Sequence, residues 1–169
     1  MKRIAFAAMT CLAVPAFAQV ANEPTISADA ALEIASAALR HCRAEGQKVS
    51  VAVVDAAGRV KVSVRDDGAA PHTAEHSMRK AYTALSYKMP SADYGKRAAE
   101  AKGIAIGPQL LPNITTAAGG VPIRSANAVI GAVGVSGTPS SGGGGEHDAK
   151  CAEAGLEKIK TAAGAEPAK

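Results

Sequence analysis

Hydrophobic residues recur in this chain with two periods, one typical of helices and one typical of strands. Helical spacing begins after Ser27, a good N-cap residue, and ends at Gly46. The predicted inward stripe of this helix is Leu32, Ala35, Leu39 and Cys42. Residues 48–55 and 59–65 alternate valine with polar side chains, which predicts two strands joined by a turn at residues 55–58. One face of this hairpin is expected to be buried.

The middle of the chain contains two further helical patterns, separated by a proline. Residues 73–88 form the first, and Pro90 ends it. Its predicted apolar stripe is Met78, Leu85 and either Tyr82 or Ala81. Residues 91–102 form the second helix, which begins at a capping serine.

Three apolar segments and a final helix complete the pattern. Strands are predicted at residues 114–117, 121–124 and 128–136, and a helix at residues 146–162. The segment 128–136 is apolar and contains glycines, so we expect a central strand that another element approaches closely. The order α-β-β-α-α-β-β-β-α contains no βαβ repeat. It predicts a mixed α/β (α+β) fold in which helices pack on an antiparallel sheet.

The N-terminus has the pattern of a secretory signal peptide. Lys2 and Arg3 form a cationic head, and the apolar run at residues 4–17 is too short to span a bilayer. An A-x-A signal at residues 16–18 predicts cleavage before Gln19 and a periplasmic or secreted protein without membrane insertion. The predicted parts are a signal peptide at 1–18, an N-terminal arm at 19–25, one domain at 26–162 and a disordered tail at 163–169.

Charge and composition exclude some partners and leave the cysteines open. Removal of Lys2 and Arg3 lowers the formal net charge from +4 to +2, so nothing demands nucleic acid. Tryptophan is absent and aromatic residues make up 3% of the chain, which argues against a base-stacking platform. Cys42 and Cys151 remain after cleavage. They allow one disulfide in an oxidising compartment, or two separate buried thiols.

Two histidines are the main candidates for chemistry. His72 and His76 lie four residues apart at the start of a helix, where they share a face and could bind one metal ion or a haem iron. With Glu75 they spell the inverted zinc-protease motif H-x-x-E-H, but no third ligand is evident, so we discount a protease. The alternative is that both imidazoles are solvated.

Arg79 and Lys80 follow the histidines by one helical turn. They could pair with a carboxylate-bearing ligand or form a solvated helix face. The glycine-rich segment 137–145 lacks the lysine of a phosphate-binding loop, so a nucleotide site is not supported. Asp148 is interpreted as the N-terminal charge of the last helix. No residue demands catalysis, and none is assigned as catalytic.

Several segments, taken together and in order, resemble the GlcG/HbpS family, which is often described as haem-binding and is related to the C-terminal domain of PduO-type corrinoid adenosyltransferases. The segments are VAVVDAAGRVKVSVRDDGA (51–69), RKAYTA (79–84), GGVPI (119–123), IGAVGVSG (130–137) and DAKCAEAGL (148–156). The resemblance covers roughly residues 26–162.

This resemblance implies a profilin-like, five-stranded antiparallel sheet with helices on both faces. It places the first and last helices on one face, which would bring Cys42 and Cys151 to the same side and favours a disulfide. It also implies a homo-oligomer and, for some members, haem binding. A family resemblance does not assign a chemistry by itself, because function belongs to the site.

The sequence therefore predicts an exported haem-binding protein for haem capture, sequestration or sensing. Haem needs an axial donor and a cation for each propionate, which His72 or His76 and Arg79 or Lys80 could supply. Apolar surface of the GGVPI segment is expected to form the slot. A haem-degrading activity is a narrower version of this hypothesis. The alternatives are a periplasmic enzyme or accessory protein that binds a small organic acid, and a structural oligomer without a ligand.

Overall fold

Four helices and four strands make up the part of the chain that the structure describes. The computed structural model describes residues 22–101, 111–139 and 145–164, so the predicted signal peptide lies outside it. The helices are α1 (Ala28–Ala44), α2 (His72–Tyr87), α3 (Ser91–Glu100) and α4 (Glu146–Gly164). The strands are β1 (Ser50–Asp55), β2 (Val60–Arg65), β3 (Gly120–Ser125) and β4 (Ala128–Ser136). No helix in these residues is both long and apolar enough to cross a membrane.

Local signals set most of these boundaries. Ser27 accepts a hydrogen bond from the Ala30 amide and caps α1 as predicted. The Asp55 carboxylate accepts the amides of Ala57 and Arg59 in the predicted turn between β1 and β2. Helix α4 continues two residues beyond its predicted end, to Gly164, and the rest of the predicted tail lies outside the described residues.

The sheet is antiparallel throughout, with the strand order β2-β1-β4-β3. In the central pair, Val51 is opposite Val135 and Ala52 is opposite Gly134. Pro122 lies in β3, which is an edge strand, where a residue without an amide hydrogen is tolerated.

The two faces of the sheet carry different cores. Valines of β1 and β4 (Val51, Val53, Val133 and Val135) pack with apolar residues of α1 and α4. The opposite face carries Val54 and Ala132, which pack with Ala81 and Ala84 of α2. The alternation of side chains along each strand therefore buries both faces beneath helices, as the resemblance implied.

One predicted strand is wrong, because within the described residues the sheet has four strands and not the five expected. Residues 114–117 form no ladder with a neighbouring strand. The Thr115 amide donates instead to the Thr83 hydroxyl at 3.0 Å, and the Ile114 amide donates to the Leu111 carbonyl. The carbonyl of Thr116 runs against Gly95 of α3, where a Cβ atom would lie 2.2 Å from it. The amides of Ile114 and Thr115 thus find their hydrogen-bond partners outside the sheet, and the segment runs beside α3.

Helix α2 lies very close to β4 because small residues face each other. A Cβ atom added to Gly134 would lie 2.0 Å from the Ser77 carbonyl oxygen. The buried face of α2 is accordingly Thr73, Ser77, Lys80, Ala81, Thr83 and Ala84. Of the predicted stripe, Met78, Tyr82 and Leu85 are only partly buried. This close approach brings the N-terminal half of α2 against the end of β4.

A disulfide between Cys42 and Cys151 joins α1 to α4, with the two Cα atoms 5.6 Å apart. Both cysteines are fully buried. Gly155 allows the two helices to approach, since a Cβ atom there would lie 2.7 Å from the Ile34 carbonyl oxygen.

Candidate functional site

The first turn of α2 is fixed to the sheet by hydroxyl groups. Thr73 and Ser50 of β1 lie with their hydroxyl oxygens 2.7 Å apart, and both residues are buried. The Thr73 hydroxyl also lies 2.7 Å from the Ala70 carbonyl oxygen. These contacts hold the start of α2, and therefore its histidines, in one position relative to the sheet.

A cavity of about 290 Å³ lies where the start of α2, the end of β4 and the start of α4 meet. Its polar lining includes His72, His76, Lys80, Ser136, Thr138 and Asp148. A smaller cavity of about 230 Å³ is lined by His72, Glu75, His76 and Arg79. The two histidines line both cavities, so the structure brings together three of the four candidate residues in each.

Lys80 has a different place from the one expected. Its ammonium lies 2.7 Å from a carboxylate oxygen of Asp148, and each side chain is only 3% exposed. The other oxygen of Asp148 accepts the Thr138 amide at 3.0 Å. Burial lowers the pKa of Lys80, and the charge of Asp148 opposes that shift. Lys80 is therefore an internal partner of Asp148 at the base of the cavity, rather than a cation free to reach a propionate at the surface.

Two glycines make room for this buried pair. A Cβ atom at Gly119 would lie 2.8 Å from Cβ of Asp148 and 3.0 Å from Cδ of Lys80. A Cβ atom at Gly120 would lie 2.0 Å from the Lys80 carbonyl oxygen. The Gly120 amide donates to the Ser91 hydroxyl at 2.8 Å, so it is not available to a ligand carboxylate. The two glycines thus allow their backbone to lie directly against Lys80 and Asp148.

His76 is half-buried and held between two hydroxyl groups. Its Nε2 atom lies 3.3 Å from the Thr115 hydroxyl, and its Nδ1 atom lies 3.3 Å from the Ser136 hydroxyl. Burial lowers the pKa of His76, the charge of Lys80 lowers it further, and Asp148 opposes them. A neutral imidazole, with one nitrogen donating and the other accepting, fits this arrangement.

We expect the lowered pKa of His76 to make the protein less stable on acidification. The folded state resists protonation of this imidazole, whereas the unfolded chain takes up the proton near the ordinary value of 6.5. The free energy of unfolding should therefore fall as the pH is lowered from 7.5 to 5.5, and less steeply in His76→Gln. Urea denaturation across this range measures both slopes. Equal slopes in the two proteins would contradict the prediction.

His72 and Arg79 lie at the surface. His72 is exposed and makes no hydrogen bond or ion pair with the described residues. Arg79 forms an ion pair with Glu75 one turn earlier, and the two side chains are 39% and 63% exposed. Nε of Arg79 is buried without a hydrogen-bond partner in this part of the chain. Of the two histidines, His72 is the one whose ring nitrogens are not engaged.

The histidine pair does not belong to a larger metal cluster in the residues that the structure describes. Neither histidine belongs to a group of three histidine, cysteine or carboxylate side chains there whose ligand atoms all lie within 4.8 Å of one another. The expected GGVPI slot also lies apart from them. Val121, Pro122 and Ile123 line a separate cavity of about 570 Å³ against α4, which shares no residue with the histidine cavities.

Asp148, Ser136 and Thr115 are the residues that sequence reasoning missed. Asp148 was interpreted only as a helix-end charge, yet it pairs with a lysine 68 positions earlier. The hydroxyls that hold His76 come from positions 39 and 60 residues later. The sequence offered no signal for these contacts, because the burial of Lys80, which requires an acidic partner, became evident only from the packing of α2.

Comparisons with known proteins identify relatives of this chain. The family model for haem-degrading, HbpS-like proteins matches residues 26–157. A double mutant of HbpS from Streptomyces reticuli is 33% identical over 87% of this chain and 97% of that chain, with a TM-score of 0.77. The ORFY protein of Klebsiella pneumoniae is 29% identical over 86% and 98%, with a TM-score of 0.74. No curated protein sequence matches the chain.

A more distant structure is similar in fold alone. It is a complex of PduOC with haem, 24% identical over 79% of this chain and 94% of that chain, with a TM-score of 0.69.

Proposed function

Because this chain belongs to the HbpS-like family of haem-degrading proteins, we propose that it binds haem at the start of α2, with His72 as the axial ligand. The observation that carries this proposal is an exposed imidazole whose ring nitrogens have no partner in the described residues, beside a second imidazole and a cation. The haem carried by PduOC, a protein of similar fold, supports the choice of ligand.

The residues at this position fit the needs of a haem in part. His72 offers a nitrogen donor, and Arg79 offers a guanidinium for one propionate once it exchanges its surface pairing with Glu75. Lys80 has no direct contact in this proposal, because Asp148 holds it inside. Both cavities are smaller than the roughly 300–1,000 Å³ usual for enclosed ligands, so a bound haem would lie on an open surface. We also propose a homo-oligomer, as the resemblance to the family implies.

Bound haem would supply iron for ligand sensing or redox chemistry, including the degradation for which the family is described. The chain's own contribution is positional. His76, whose pKa is lowered by burial, lies between the Thr115 and Ser136 hydroxyls, and these contacts join this part of α2 to β4 and to the segment before β3. No residue of the site is assigned a catalytic step.

Haemin titration tests the axial ligand. The wild-type protein should give a saturable, red-shifted Soret band. His72→Ala should weaken haemin binding by about tenfold or more. Removing a residue that merely hydrogen-bonds a metal ligand already lowers metal affinity by about 10–100-fold, and His72 would bind the iron itself. His41→Ala is the matched control, since His41 is also partly exposed but lies on α1, at the other face of the sheet. Unchanged binding by His72→Ala, or loss only in His76→Ala, would contradict the assignment to His72.

A small organic acid is the second candidate ligand. The Thr138 hydroxyl, which lines the 290 Å³ cavity, is buried without a hydrogen-bond partner in the described residues. A buried hydroxyl without a partner is costly, and a ligand carboxylate could satisfy it. A thermal-shift screen with organic acids, run beside the haemin titration, separates these candidates. Stabilisation by an acid without haem binding would favour the acid, and no response to either would favour a structural oligomer.

We also propose that the protein is exported to the periplasm or secreted. The leader-like N-terminus supports export, and so does the Cys42–Cys151 bond, because disulfides persist in oxidising compartments. The intact mass of the native protein tests the proposal, since cleavage before Gln19 removes the first 18 residues.

A further inference from the structure

A second group of metal-ligating side chains lies on the opposite face of the sheet from His72. It joins the last turn of α1 to α4 and comprises His41, Glu45 and Cys151. One ligand atom from each lies within 4.8 Å of the others. His41 and Glu45 are one helical turn apart, with Nε2 and Oε1 separated by 3.5 Å. An imidazole, a carboxylate and a sulfur are a donor set that suits Zn²⁺.

The sulfur of this group is covalently occupied. Cys151 is bonded to Cys42, and a disulfide sulfur is not the thiolate that binds zinc. We infer that Cys42 masks a zinc site, and that breaking the disulfide allows Cys151, His41 and Glu45 to bind Zn²⁺ or a similar soft divalent ion. The site does not rest on haem binding, because it shares no residue with the start of α2.

The present spacing is close to what a tetrahedral ion requires. Bonds of about 2.0–2.3 Å hold neighbouring ligand atoms roughly 3.3–3.8 Å apart. His41 and Glu45 already have this separation at 3.5 Å. The sulfur has to approach them by no more than about 1.5 Å, which a side-chain rotation of the released cysteine can supply. Water or the freed Cys42 thiol completes the coordination.

The position also allows an ion to enter. The side chains of His41 and Glu45 are 41% and 39% exposed, whereas both cysteines are fully buried. A surface cavity of about 400 Å³ between α1 and α4 reaches His41. The ion would therefore lie at the protein edge, covered by the imidazole and carboxylate on the solvent side and by sulfur on the inner side.

A dithiol is the reductant that would open the Cys42–Cys151 bond. The dithiol gives two electrons and two protons to the Cys42–Cys151 bond and closes its own disulfide, which leaves two protein thiols. On binding Zn²⁺, the Cys151 thiol loses its proton to solvent and becomes the thiolate ligand. Because the disulfide is buried, the reductant reaches it only after local opening of the contact between α1 and α4.

Two cysteine variants distinguish Cys42, which blocks the site through the disulfide, from Cys151, which would bind the ion. Cys42→Ser frees Cys151 without any reductant, and Cys151→Ser removes the same disulfide together with the ligand. Titration with Co²⁺ should give Cys42→Ser a tetrahedral spectrum with a thiolate charge-transfer band, which Zn²⁺ abolishes. Cys151→Ser should bind at least about tenfold more weakly, and so should His41→Ala placed in the Cys42→Ser chain. Oxidised wild-type protein should show no thiolate band.

The same Co²⁺ titration is repeated on wild-type protein reduced with a phosphine, so that the result does not depend on a single variant. Circular dichroism checks that the reduced protein is folded. Equal Co²⁺ affinity in Cys42→Ser and Cys151→Ser, or no thiolate band in either Cys42→Ser or reduced wild type, would overturn the inference. Haemin binding by oxidised wild-type protein is read separately, so failure of the zinc site and failure of the haem site are distinguishable.

Discussion

Replacing Lys80 with methionine is expected to lower the free energy of unfolding by about 3–5 kcal/mol, because the substitution leaves a buried charge without its partner. Asp148 is 3% exposed and, among the described residues, would retain the Thr138 amide as its hydrogen-bond donor. Methionine has a similar length and fills the same space, so the loss would report the missing charge rather than a cavity. Urea denaturation of the wild type and the variant measures the difference.

Two control variants show whether the lost stability comes from the unpaired buried charge. In Lys80→Met with Asp148→Leu, both charges are absent, and most of the lost stability should return because no buried charge remains unpaired. Arg79→Met breaks a surface ion pair one residue away and should cost less than about 1 kcal/mol. A similar small loss in Lys80→Met would show that the buried pair contributes little.

The same variant separates structure from ligand binding. If Lys80 serves only as the partner of Asp148, folded Lys80→Met protein should bind haemin as the wild type does. Weaker haemin binding by the folded variant would restore the earlier expectation that Lys80 reaches a propionate.

Loss of the disulfide is expected to lower the free energy of unfolding by about 4–5 kcal/mol, the value of the chain-entropy model for a loop of about 100 residues. Cys42 and Cys151 are 109 positions apart, so the bond strongly restricts the unfolded chain. The double variant Cys42→Ser with Cys151→Ser tests this by urea denaturation, because the two serines cannot form a disulfide.

A reductant provides the matched control for the disulfide. It should lower the urea midpoint of the wild type toward that of the double variant, and leave the double variant unchanged. Addition of Zn²⁺ to the reduced wild type should return part of the stability if the inferred site forms, because a ligand that binds only the folded state stabilises it. A reduced wild type as stable as the oxidised protein would contradict the predicted contribution of the bond.

Predictions that rest on neighbouring residues agree with the structure. The Ser27 cap and the Asp55 turn depend on atoms within four positions of each other. The alternation predicted for the first hairpin is present in β2, where Val62 and Val64 pack against the core, but β1 is buried on both faces and not on one. The helical spacing of α4 agrees, with Ala152 and Leu156 buried. The close approach expected at the glycine-rich strand is also present, where Gly134 meets the Ser77 carbonyl.

Predictions that depend on which side of an element faces the core were less secure. Leu32 was assigned to the inward stripe of α1 but is 58% exposed, while Ala31, Ile34 and Ala38 are buried. In α2 the predicted stripe is Met78 and Leu85 with either Tyr82 or Ala81, and of these only Ala81 is fully buried. The larger residues are less buried because β4 presents glycine and alanine to this helix, and only small side chains fit between closely spaced backbones.

The sequence by itself determined the helices, four of the five predicted strands, the family resemblance and the candidate histidines, because these depend on periodicity and short motifs. Only the tertiary structure decided where the candidate residues lie and what they contact. It turned Lys80 inward onto Asp148, engaged both nitrogens of His76 and left His72 exposed. It also set His41 and Glu45 beside Cys151. These pairings join residues that lie far apart in the chain, and helix–sheet packing, rather than any local pattern, brings them together.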